Sequence, residues 1–505
     1  MSIDLSLDRI RKLLAHLPPY SRPTIHVAGT NGKGSVCALV SSILSASSPP
    51  FVVGRFNSPH LVSVLDCICV ANQPVSAEVY STARQEVERI DRENDVGASN
   101  FELLACTALF IFERAAVDIV VLEVGMGGRL DATNAVPDEC ILVSALAAVD
   151  LDHQAFLGNT VEAIAREKAA IARNGKPFVI GPQVHPQVVD VARQIATVAG
   201  ATVVPPAAVT LAEGSDERGG REFGDMALSG APPPRAVKVS MAYFDEPVLA
   251  ALPLHGEHQL ANLEIAAGII SALVAHPACQ RLDHRLQARI TPAAVARGIE
   301  KTRWPGRLSY NTFTLPSQPS NGRQNAQVTV LADGAHNPAS ATALADYLSD
   351  LLARSPGRPL ALTYVLGLSH SPPKTPAQTL GPLFALSERL PQGCQVRIGA
   401  ALLRFTPPEG MPWVRSVPPS EMRAAIESLV PDPTSGLELW SPSAETAAGA
   451  DNAVDIFEQA LCWAAERQGD REDALVVVAG SLYLVADFYR LLDRLGQAQG
   501  IWGAN

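Results

Sequence analysis

The sequence predicts an α/β protein of two domains, each built around a parallel sheet. In both halves of the 505-residue chain, short β-prone apolar runs alternate with helical patterns, and this alternation is typical of βαβ units. The chain is also longer than one average domain, at roughly 150 residues per domain. The runs that we interpret as strands are 24–28, 119–124 and 141–149 in the first half, and 328–332, 360–366, 395–398 and 475–479 in the second.

A turn with two chain breakers, Trp304-Pro305-Gly306-Arg307, separates the two halves. We therefore predict a first domain at 1–305 and a smaller second domain at 306–505. The stretch 204–236 is rich in Gly, Pro and charged residues, which predicts an exposed excursion from the first domain. Two further polar, Pro-rich stretches are predicted to be surface loops, and they are 316–326 and 431–452.

Composition argues against several classes of protein. Hydrophobic residues make up 47% of the chain and charged residues 18%, which indicates a sizeable core and not a disordered tail. The net charge of −11 argues against a nucleic-acid partner. The eight cysteines include no C-x-x-C pair, so we expect a reducing, cytoplasmic location without a zinc site. The longest uninterrupted apolar runs reach about half of the roughly 20 residues that a membrane helix needs, so no membrane contact is expected.

The strongest local motif is HVAGTNGKGS, in which a β-prone run leads through a glycine loop into a helical pattern. Such a loop can direct backbone N–H groups and a helix N-terminus at phosphate oxygens. Lys33 would add positive charge, and Ser35 could bind Mg²⁺. Because Gly34 separates Lys33 from Ser35, the spacing differs from G-x-x-x-x-G-K-[ST], and a plain glycine turn is the alternative. The predicted phosphate-binding residues are Gly29, Thr30, Asn31, Gly32, Lys33, Gly34 and Ser35.

A second candidate is Glu123, which ends an apolar strand directly before the turn Gly125-Met126-Gly127-Gly128. An unpaired carboxylate would be costly to bury there. A divalent cation at the carboxyl ends of parallel strands would compensate the charge. An ion pair between Glu123 and Arg129 is the alternative.

The third motif places His153 at the end of a strand and Glu167-Lys168 on the helix that follows. His153 could bind a second metal ion, although a lone histidine is more often only hydrogen-bonded. A solvated charge pair between Glu167 and Lys168 is the alternative to a functional lysine.

In the second half, VLADGAHNP places Asp333 at a strand end and His336 in the turn before a helix that Pro338 can start. This puts hydrogen-bond acceptors and a titratable ring at the crevice where α/β sheets bind ligands. Arg307, in the WPGR turn, carries a guanidinium suited to phosphate. A linker whose arginine faces solvent is the alternative.

Together these motifs resemble the Mur ligase superfamily and, within it, the folylpolyglutamate synthase and dihydrofolate synthase family. The resemblance covers nearly the whole chain, with the motifs in the family's order. The motifs are GTNGKGS at 29–35, SPHL at 58–61, FE at 101–102, LEVGMGGRLDATN at 122–134, DH at 152–153, EK at 167–168, HQ at 258–259 with Asn262, WPGR at 304–307 and DGAHNP at 333–338.

The resemblance implies an ATP-dependent amide ligase, with an N-terminal P-loop domain of the Mur ligase type and a smaller, Rossmann-like C-terminal domain. Such a ligase converts a carboxylate into an acyl phosphate, which the amine of L-glutamate then attacks. The resemblance also implies that Lys168 is carbamylated by CO₂, which turns a cation into an anion that supports a metal ion. The positions carried over as catalytic are Lys33, Lys168 and His336.

The same resemblance implies two Mg²⁺ sites, a nucleotide site and a pterin site. Ser35 and Glu123 would bind the first Mg²⁺, and His153 would bind the second. ATP would also contact residues distant from the phosphate loop, and the SPHL segment would help to form the pterin site. These further positions are Asn262, Arg307 and Asp333 for ATP, and Ser58, Pro59, His60 and Leu61 for the pterin.

The branch of the family is predicted from two features. Only 28 residues precede Gly29, so the UDP-sugar domain of the muramyl ligases is expected to be absent. The stretch 367–376 (GLSHSPPKTP) resembles the fungal dihydrofolate synthases. This implies a monomer that acts on dihydropteroate, L-glutamate and ATP.

Three alternatives remain at this point. The first is a ligase that extends the glutamate tail of tetrahydrofolate, either alone or bifunctionally. The second is a P-loop kinase or switch, which would have the common Walker spacing and would not explain the DGAHNP half. The third is a binding protein that has lost catalysis, which the retained polar residues argue against. Those residues are Lys33, Ser35, Glu123, His153 and Lys168.

Overall fold

The computed structural model describes residues 6–212, 230–280, 286–315, 327–354, 359–391, 394–408, 411, 414–432, 436–442, 453–469 and 472–498. These residues divide into two compact units. The first unit contains the described residues of Met1–Ala212, Arg235–Pro253 and His258–Arg303. The second contains those of Glu213–Pro234, Leu254–Glu257 and Trp304–Asn505.

The main sheet of the first unit contains eight strands within the described residues, in the order β4-β3-β2-β5-β1-β6-β7-β8. The pairs β2–β3 and β3–β4 are antiparallel, and the other pairs are parallel. The predicted parallel sheet is therefore confirmed, with two short antiparallel strands added at one edge. The strands are β1 (Thr24–Ala28), β2 (Val53–Phe56), β3 (Ile68–Val70), β4 (Gln73–Pro74), β5 (Ile119–Glu123), β6 (Ile141–Leu146), β7 (Pro177–Ile180) and β8 (Thr202–Val204).

Helices cover this sheet, and α8 (His258–Ala275) is the longest of those described in the unit. By length and composition, α8 is the one helix of the described chain that could cross a membrane, but two thirds of it is buried in the unit. A core helix meets the same criteria, and α8 meets them although Asn262 and Glu264 interrupt its apolar residues. The helices are α1 (Asp8–His16), α2 (Lys33–Ser45), α3 (Ala77–Glu93), α4 (Asn100–Arg114), α5 (Gln154–Leu157), α6 (Val161–Ala169), α7 (Pro186–Val198), α8 (His258–Ala275), α9 (Pro277–Gln280), α10 (Leu286–Arg289) and α11 (Pro292–Lys301).

The central strands β1, β5 and β6 bring the sequence motifs to one edge of the sheet. Every residue of these strands is buried, as expected for parallel strands that are covered on both faces. Val27 pairs with Glu123, and Ala28 pairs with Leu146, so the three strands end side by side. The loops that follow them therefore meet at the carboxyl edge.

The segment 204–236, predicted to be an exposed excursion, contributes residues to a small antiparallel sheet. This sheet has the order β11-β10-β9, with β9 at Ala208–Leu211, β10 at Arg235–Ser240 and β11 at Val248–Leu252. Val237 and Val239 are buried and alternate with exposed residues along β10, as expected for a strand with one covered face, and Val209 of β9 is buried where it pairs with Val239. Both ends of the predicted excursion are thus paired strands, and residues 213–229 lie outside the described part of the chain.

The second unit is built on a sheet with the order β12-β13-β17-β14-β15-β16 among its described residues. The pair β12–β13 is antiparallel and the others are parallel. Leu344, Leu380 and Met422, from three helices, pack with the sheet in one core. The elements are β12 (Ser309–Thr314), β13 (Gln327–Ala332), α12 (Pro338–Ala353), β14 (Leu360–Leu366), α13 (Pro376–Phe384), α14 (Leu386–Arg389), β15 (Val396–Leu402), α15 (Pro419–Leu429), β16 (Glu438–Trp440), α16 (Ala453–Glu466), β17 (Asp473–Ala479) and α17 (Leu482–Arg494).

The two predicted surface loops of the second half have different outcomes. The loop at 316–326 lies outside the described residues. The loop at 431–452 contains β16, which pairs parallel with β15. The β-prone segment Glu438-Leu439-Trp440 forms this edge strand inside a stretch whose polar, Pro-rich composition predicts a loop.

Candidate functional site

The phosphate loop connects β1 to α2, and α2 begins at Lys33. Gly32 has φ 90°, and a Cβ on this residue would collide with Oδ1 of Asn262, so both the backbone and the packing require glycine. The backbone N–H groups of Thr30 and Asn31 donate to the carbonyl of Ala148 at 2.7 and 3.1 Å. The strand, loop and helix predicted from the motif are thus present.

Glu123 lies beside the phosphate loop, with Lys33 and Asn57 as neighbours. Nζ of Lys33 is 3.7 Å from Oε1 of Glu123 and donates to the carbonyl of Thr30 at 3.3 Å. Nδ2 of Asn57 donates to Oε2 of Glu123 at 2.7 Å. The Glu123 side chain is only 7% exposed, so this carboxylate is buried as predicted. The positive charge of Lys33 lies beside it and compensates its negative charge.

Arg129 forms an ion pair with Glu167, and not the ion pair with Glu123 that was the alternative to a metal site. Its Nη2 lies 3.0 Å from Oε1 of Glu167, and its backbone N–H donates to the Glu167 carbonyl at 2.8 Å. A Cβ on Gly128 would approach this carbonyl to 2.6 Å. The glycine turn therefore lies directly against the end of α6.

Lys168 is buried, with 3% of the residue exposed. Its Nζ donates to the carbonyl of Gly29 in the phosphate loop at 2.9 Å. Burial, and next the charge of Lys33, lower the pKa of Lys168 to about 7, although Asp152 and Asp131 act in the opposite direction. The interpretation of Glu167 and Lys168 as a solvated charge pair is therefore wrong. Lys168 is buried and donates to Gly29, whereas Glu167 pairs with Arg129.

Asp131 anchors the glycine turn through a buried network. Its Oδ2 accepts from the backbone N–H of Met126 at 2.8 Å, and its Oδ1 accepts from the Thr133 hydroxyl at 2.6 Å. Nε2 of His26, on β1, lies 2.8 Å from the same hydroxyl. Burial lowers the pKa of His26 to about 3, so its ring is neutral. Sequence reasoning assigned no role to Asp131 or His26, although Asp131 lies in a quoted motif.

Two residues of α8 reach the phosphate loop from more than 220 positions away. Nε2 of Gln259 donates to Oγ of Ser35 at 3.3 Å, across 224 residues of sequence. Nδ2 of Asn262 donates to Oε1 of Gln259 at 2.9 Å. Asn262 was a predicted site residue, whereas Gln259 was quoted in a motif without a role.

His153 directly precedes α5, and none of the contacts described above for Lys33, Glu123 and Lys168 involves it. It has φ 50°, and its side chain is 50% exposed. Its Nε2 is 3.8 Å from Oδ2 of Asp152. Among the residues that the structure describes, no three His, Cys, Asp or Glu side chains are grouped to hold a metal ion.

The SPHL segment follows β2 and lies at the same edge of the sheet, because β2 pairs parallel with β5. The backbone N–H of Leu61 donates to Oδ1 of Asp66 at 2.8 Å, which fixes the loop. Phe101 lies over Gly125, where a Cβ would collide with its ring. The segment and Phe101 thus lie near the turn that follows Glu123. The predicted pterin residues are Ser58, Pro59, His60 and Leu61.

In the second unit, Asp333 lies in the loop after β13, and each of its two carboxylate oxygens accepts a hydrogen bond from the backbone. Oδ2 accepts from the N–H of Leu308 at 2.8 Å, and Oδ1 accepts from the N–H of Ala335 at 2.8 Å. Burial raises the pKa of Asp333, while the nearby Arg307 opposes this change. Nδ1 of His336 lies 2.9 Å from the Gly334 carbonyl. The structure thus gathers Arg307, Asp333 and His336 around one loop.

Comparison with known proteins gives the context of these contacts. Residues 318–491 match the family described as "Dihydrofolate synthetase, C-terminal domain". The chain is 33% identical to the dihydrofolate synthetase of Saccharomyces cerevisiae, over 97% of this chain and 98% of that protein. It is 31% identical to a probable dihydrofolate synthetase of Schizosaccharomyces pombe, over 97% and 99% of the two chains.

A solved structure extends the similarity to the fold. The Mycobacterium tuberculosis folylpolyglutamate synthase complexed with ADP and AMPPCP has a TM-score of 0.68 to this chain, with 26% identity, and the match covers 96% of this chain and 95% of that one. The predicted α/β fold and the resemblance stated from the motifs are confirmed by these relatives. The chain belongs to the dihydrofolate synthase and folylpolyglutamate synthase family.

Proposed function

We propose that this chain is a dihydrofolate synthase that uses ATP to join L-glutamate to 7,8-dihydropteroate. The single observation that carries this proposal is its similarity to two yeast dihydrofolate synthetases over nearly the full length of the chains. The family match at 318–491 supports it. We assign nucleotide binding to a domain at 1–305 and propose a C-terminal ligase domain at 306–505.

The reaction needs ATP because a carboxylate is a poor electrophile. The γ-phosphoryl group of ATP passes to an oxygen of the pteroate carboxylate, which gives ADP and an acyl phosphate. The glutamate amine then attacks the acyl carbon, and the bond to the phosphate oxygen breaks with release of phosphate and a proton. Lys33 and the N-terminus of α2 stabilise negative charge on the phosphoryl group.

The first magnesium site is proposed at Ser35 and Glu123. A hydroxyl and a carboxylate are oxygen ligands of the kind that Mg²⁺ takes, and both residues are buried beside the phosphate loop, so they fit the ion. Ser35 and Glu123 would hold the ion, which would supply positive charge to the phosphate oxygens. His153 is proposed for the second Mg²⁺.

Carbamylation is proposed at Lys168. A lysine must be neutral to attack CO₂, and burial supports a neutral amine because it lowers the pKa of Lys168 to about 7. Nζ forms a bond to the CO₂ carbon and loses a proton, so the side chain becomes a carbamate anion. That anion lies next to the phosphate loop, where Nζ now contacts the Gly29 carbonyl.

The remaining assignments concern the substrates. We propose that Gly29 to Ser35 and Asn262 bind ATP, together with Arg307 and Asp333. His336 is proposed to act near the phosphates, and the SPHL segment at 58–61 to contact the pterin. We also propose a cytoplasmic monomer.

The function is tested by incorporation of labelled glutamate, with ATP and Mg²⁺, into two acceptors offered separately. Product on dihydropteroate alone is the expected result. Product only on tetrahydrofolate monoglutamate would contradict the proposal and make the chain a tail-extending enzyme. Omission of ATP is the control, and it must abolish product on either acceptor.

The alternative function is folylpolyglutamate synthesis, alone or together with dihydrofolate synthesis. The observation that favours it is the fold similarity to the mycobacterial folylpolyglutamate synthase. Product on both acceptors in the same assay would support a bifunctional enzyme.

A further inference from the structure

Gln259 is a buried polar residue beside the phosphate loop that the proposed chemistry leaves without a role. It lies in the first turn of α8 and is fully buried, with 0% of the residue exposed. A buried amide is costly unless its donors and acceptor are used. The hydrogen bonds of the Gln259 amide therefore show which neighbouring side chains it holds in place.

The amide of Gln259 is bonded on both sides. Nε2 donates to Oγ of Ser35 at 3.3 Å, and Oε1 accepts from Nδ2 of Asn262 at 2.9 Å. Asn262 in turn lies against Gly32, because its Oδ1 occupies the space of a Cβ there. The two residues of α8 thus touch the loop at its turn and at its hydroxyl.

The direction of the bond to Ser35 decides what the hydroxyl can do. A serine hydroxyl has one proton and two lone pairs. Because Gln259 donates to it, one lone pair is used, and the other lone pair and the proton remain for ligands. A hydroxyl held in this way is oriented before a metal ion arrives, so less ordering is needed on binding.

We propose that Gln259 is a positioning residue that orients the Ser35 hydroxyl for Mg²⁺ at the bound nucleotide. This inference rests on the proposed function, because it takes Ser35 as a magnesium ligand. Gln259 contacts neither the metal nor the nucleotide in this role. Loss of Gln259 is therefore expected to reduce the gain in nucleotide affinity that Mg²⁺ provides, and to leave the affinity measured without Mg²⁺ unchanged.

The test compares the affinity for ADP with Mg²⁺ and with EDTA, by titration calorimetry on the full chain. For Gln259→Met, the strengthening of ADP binding by Mg²⁺ is expected to fall about three- to tenfold, the size of one hydrogen bond, while affinity in EDTA is retained. Gln194→Met, at an exposed position on α7, is the matched control and should behave as the wild type.

A second variant keeps the test decisive if Gln259→Met does not fold. Gln259→Asn keeps a neutral amide but shortens the side chain by one methylene, which withdraws the donor from Ser35, so the same loss is expected. Equal weakening of ADP binding with and without Mg²⁺ would mean that Gln259 only supports the fold, and would overturn the proposal. An unchanged response to Mg²⁺ would overturn it as well.

Ser35→Ala separates this inference from the proposed function. If the wild type responds to Mg²⁺ and Ser35→Ala does not, the metal assignment stands and the Gln259 variants alone decide the inference. If Ser35→Ala responds to Mg²⁺ as the wild type does, Ser35 is not a ligand, and both the assignment and the role of Gln259 are overturned.

Discussion

Replacement of Lys168 by methionine is expected to stabilise the nucleotide-free protein, and more so at acidic than at alkaline pH. The reason is the burial of the amine, which lowers its pKa from 10.5 to about 7 in the folded chain. The folded chain therefore holds the Lys168 proton less tightly than the unfolded chain does. Methionine has a similar length and no charge, so it removes this difference.

The sign and the size follow from proton linkage. Below pH 7 the Lys168 amine is protonated in both the folded and the unfolded chain. The folded chain is then destabilised by the full cost of burying the charged amine, about 5 kcal/mol. Between pH 7 and 10.5 the folded chain loses the proton first, so the cost falls as pH rises. About 2 to 3 kcal/mol of the cost of burying the charged amine disappears between roughly pH 6 and pH 9.

The assay is urea unfolding of the wild type and Lys168→Met at about pH 6 and about pH 9, in CO₂-free buffer without nucleotide, with the free energy of unfolding compared at each pH. Lys238→Met, on an exposed position of β10, is the control and should show the same difference from the wild type at both pH values. The reasoning is refuted if Lys168→Met gains the same stability at both.

Three further substitutions test other contacts. Lys33→Ala is expected to lower glutamate incorporation at least about 100-fold, because a charge on the phosphoryl group is lost, and near-normal turnover would remove Lys33 from the phosphate site. His153→Ala is expected to raise the Mg²⁺ concentration needed for half-maximal activity, and an unchanged Mg²⁺ titration would remove His153 from the metal site. Thr133→Val leaves the buried His26 and Asp131 without their shared hydroxyl, so we expect a loss of about 1–3 kcal/mol in the free energy of unfolding, and a change below about 0.5 kcal/mol would contradict the network.

The central strands and the phosphate loop could be predicted because their signals are local. Parallel strands buried on both faces read as continuous apolar runs, as β5 and β6 do. The glycine loop of HVAGTNGKGS carries its own backbone requirement at Gly32. The edge position of Glu123 follows from the same rule, since a strand end in a parallel sheet lies beside its neighbours' ends.

The partners of the charged residues could not be predicted, because they depend on packing between distant segments. Lys168 lies on a helix whose sequence, VEAIAREKA, is compatible with an exposed lysine, and its burial comes from the glycine turn at Gly128 and from the phosphate loop. Gln259 reaches Ser35 only because α8 packs against α2. The strand β16 was missed because only its three residues pair, inside a polar stretch.

The contact between α8 and the phosphate loop has a consequence for synthesis of the protein. During translation the GTNGKGS segment emerges early, but Gln259 and Asn262 follow more than 220 residues later. The helix α11 comes later still, and Ser42 of α2 donates to the Gly298 carbonyl at 2.6 Å. A nascent chain that ends before α8 therefore carries the whole phosphate motif without the two later residues that contact it.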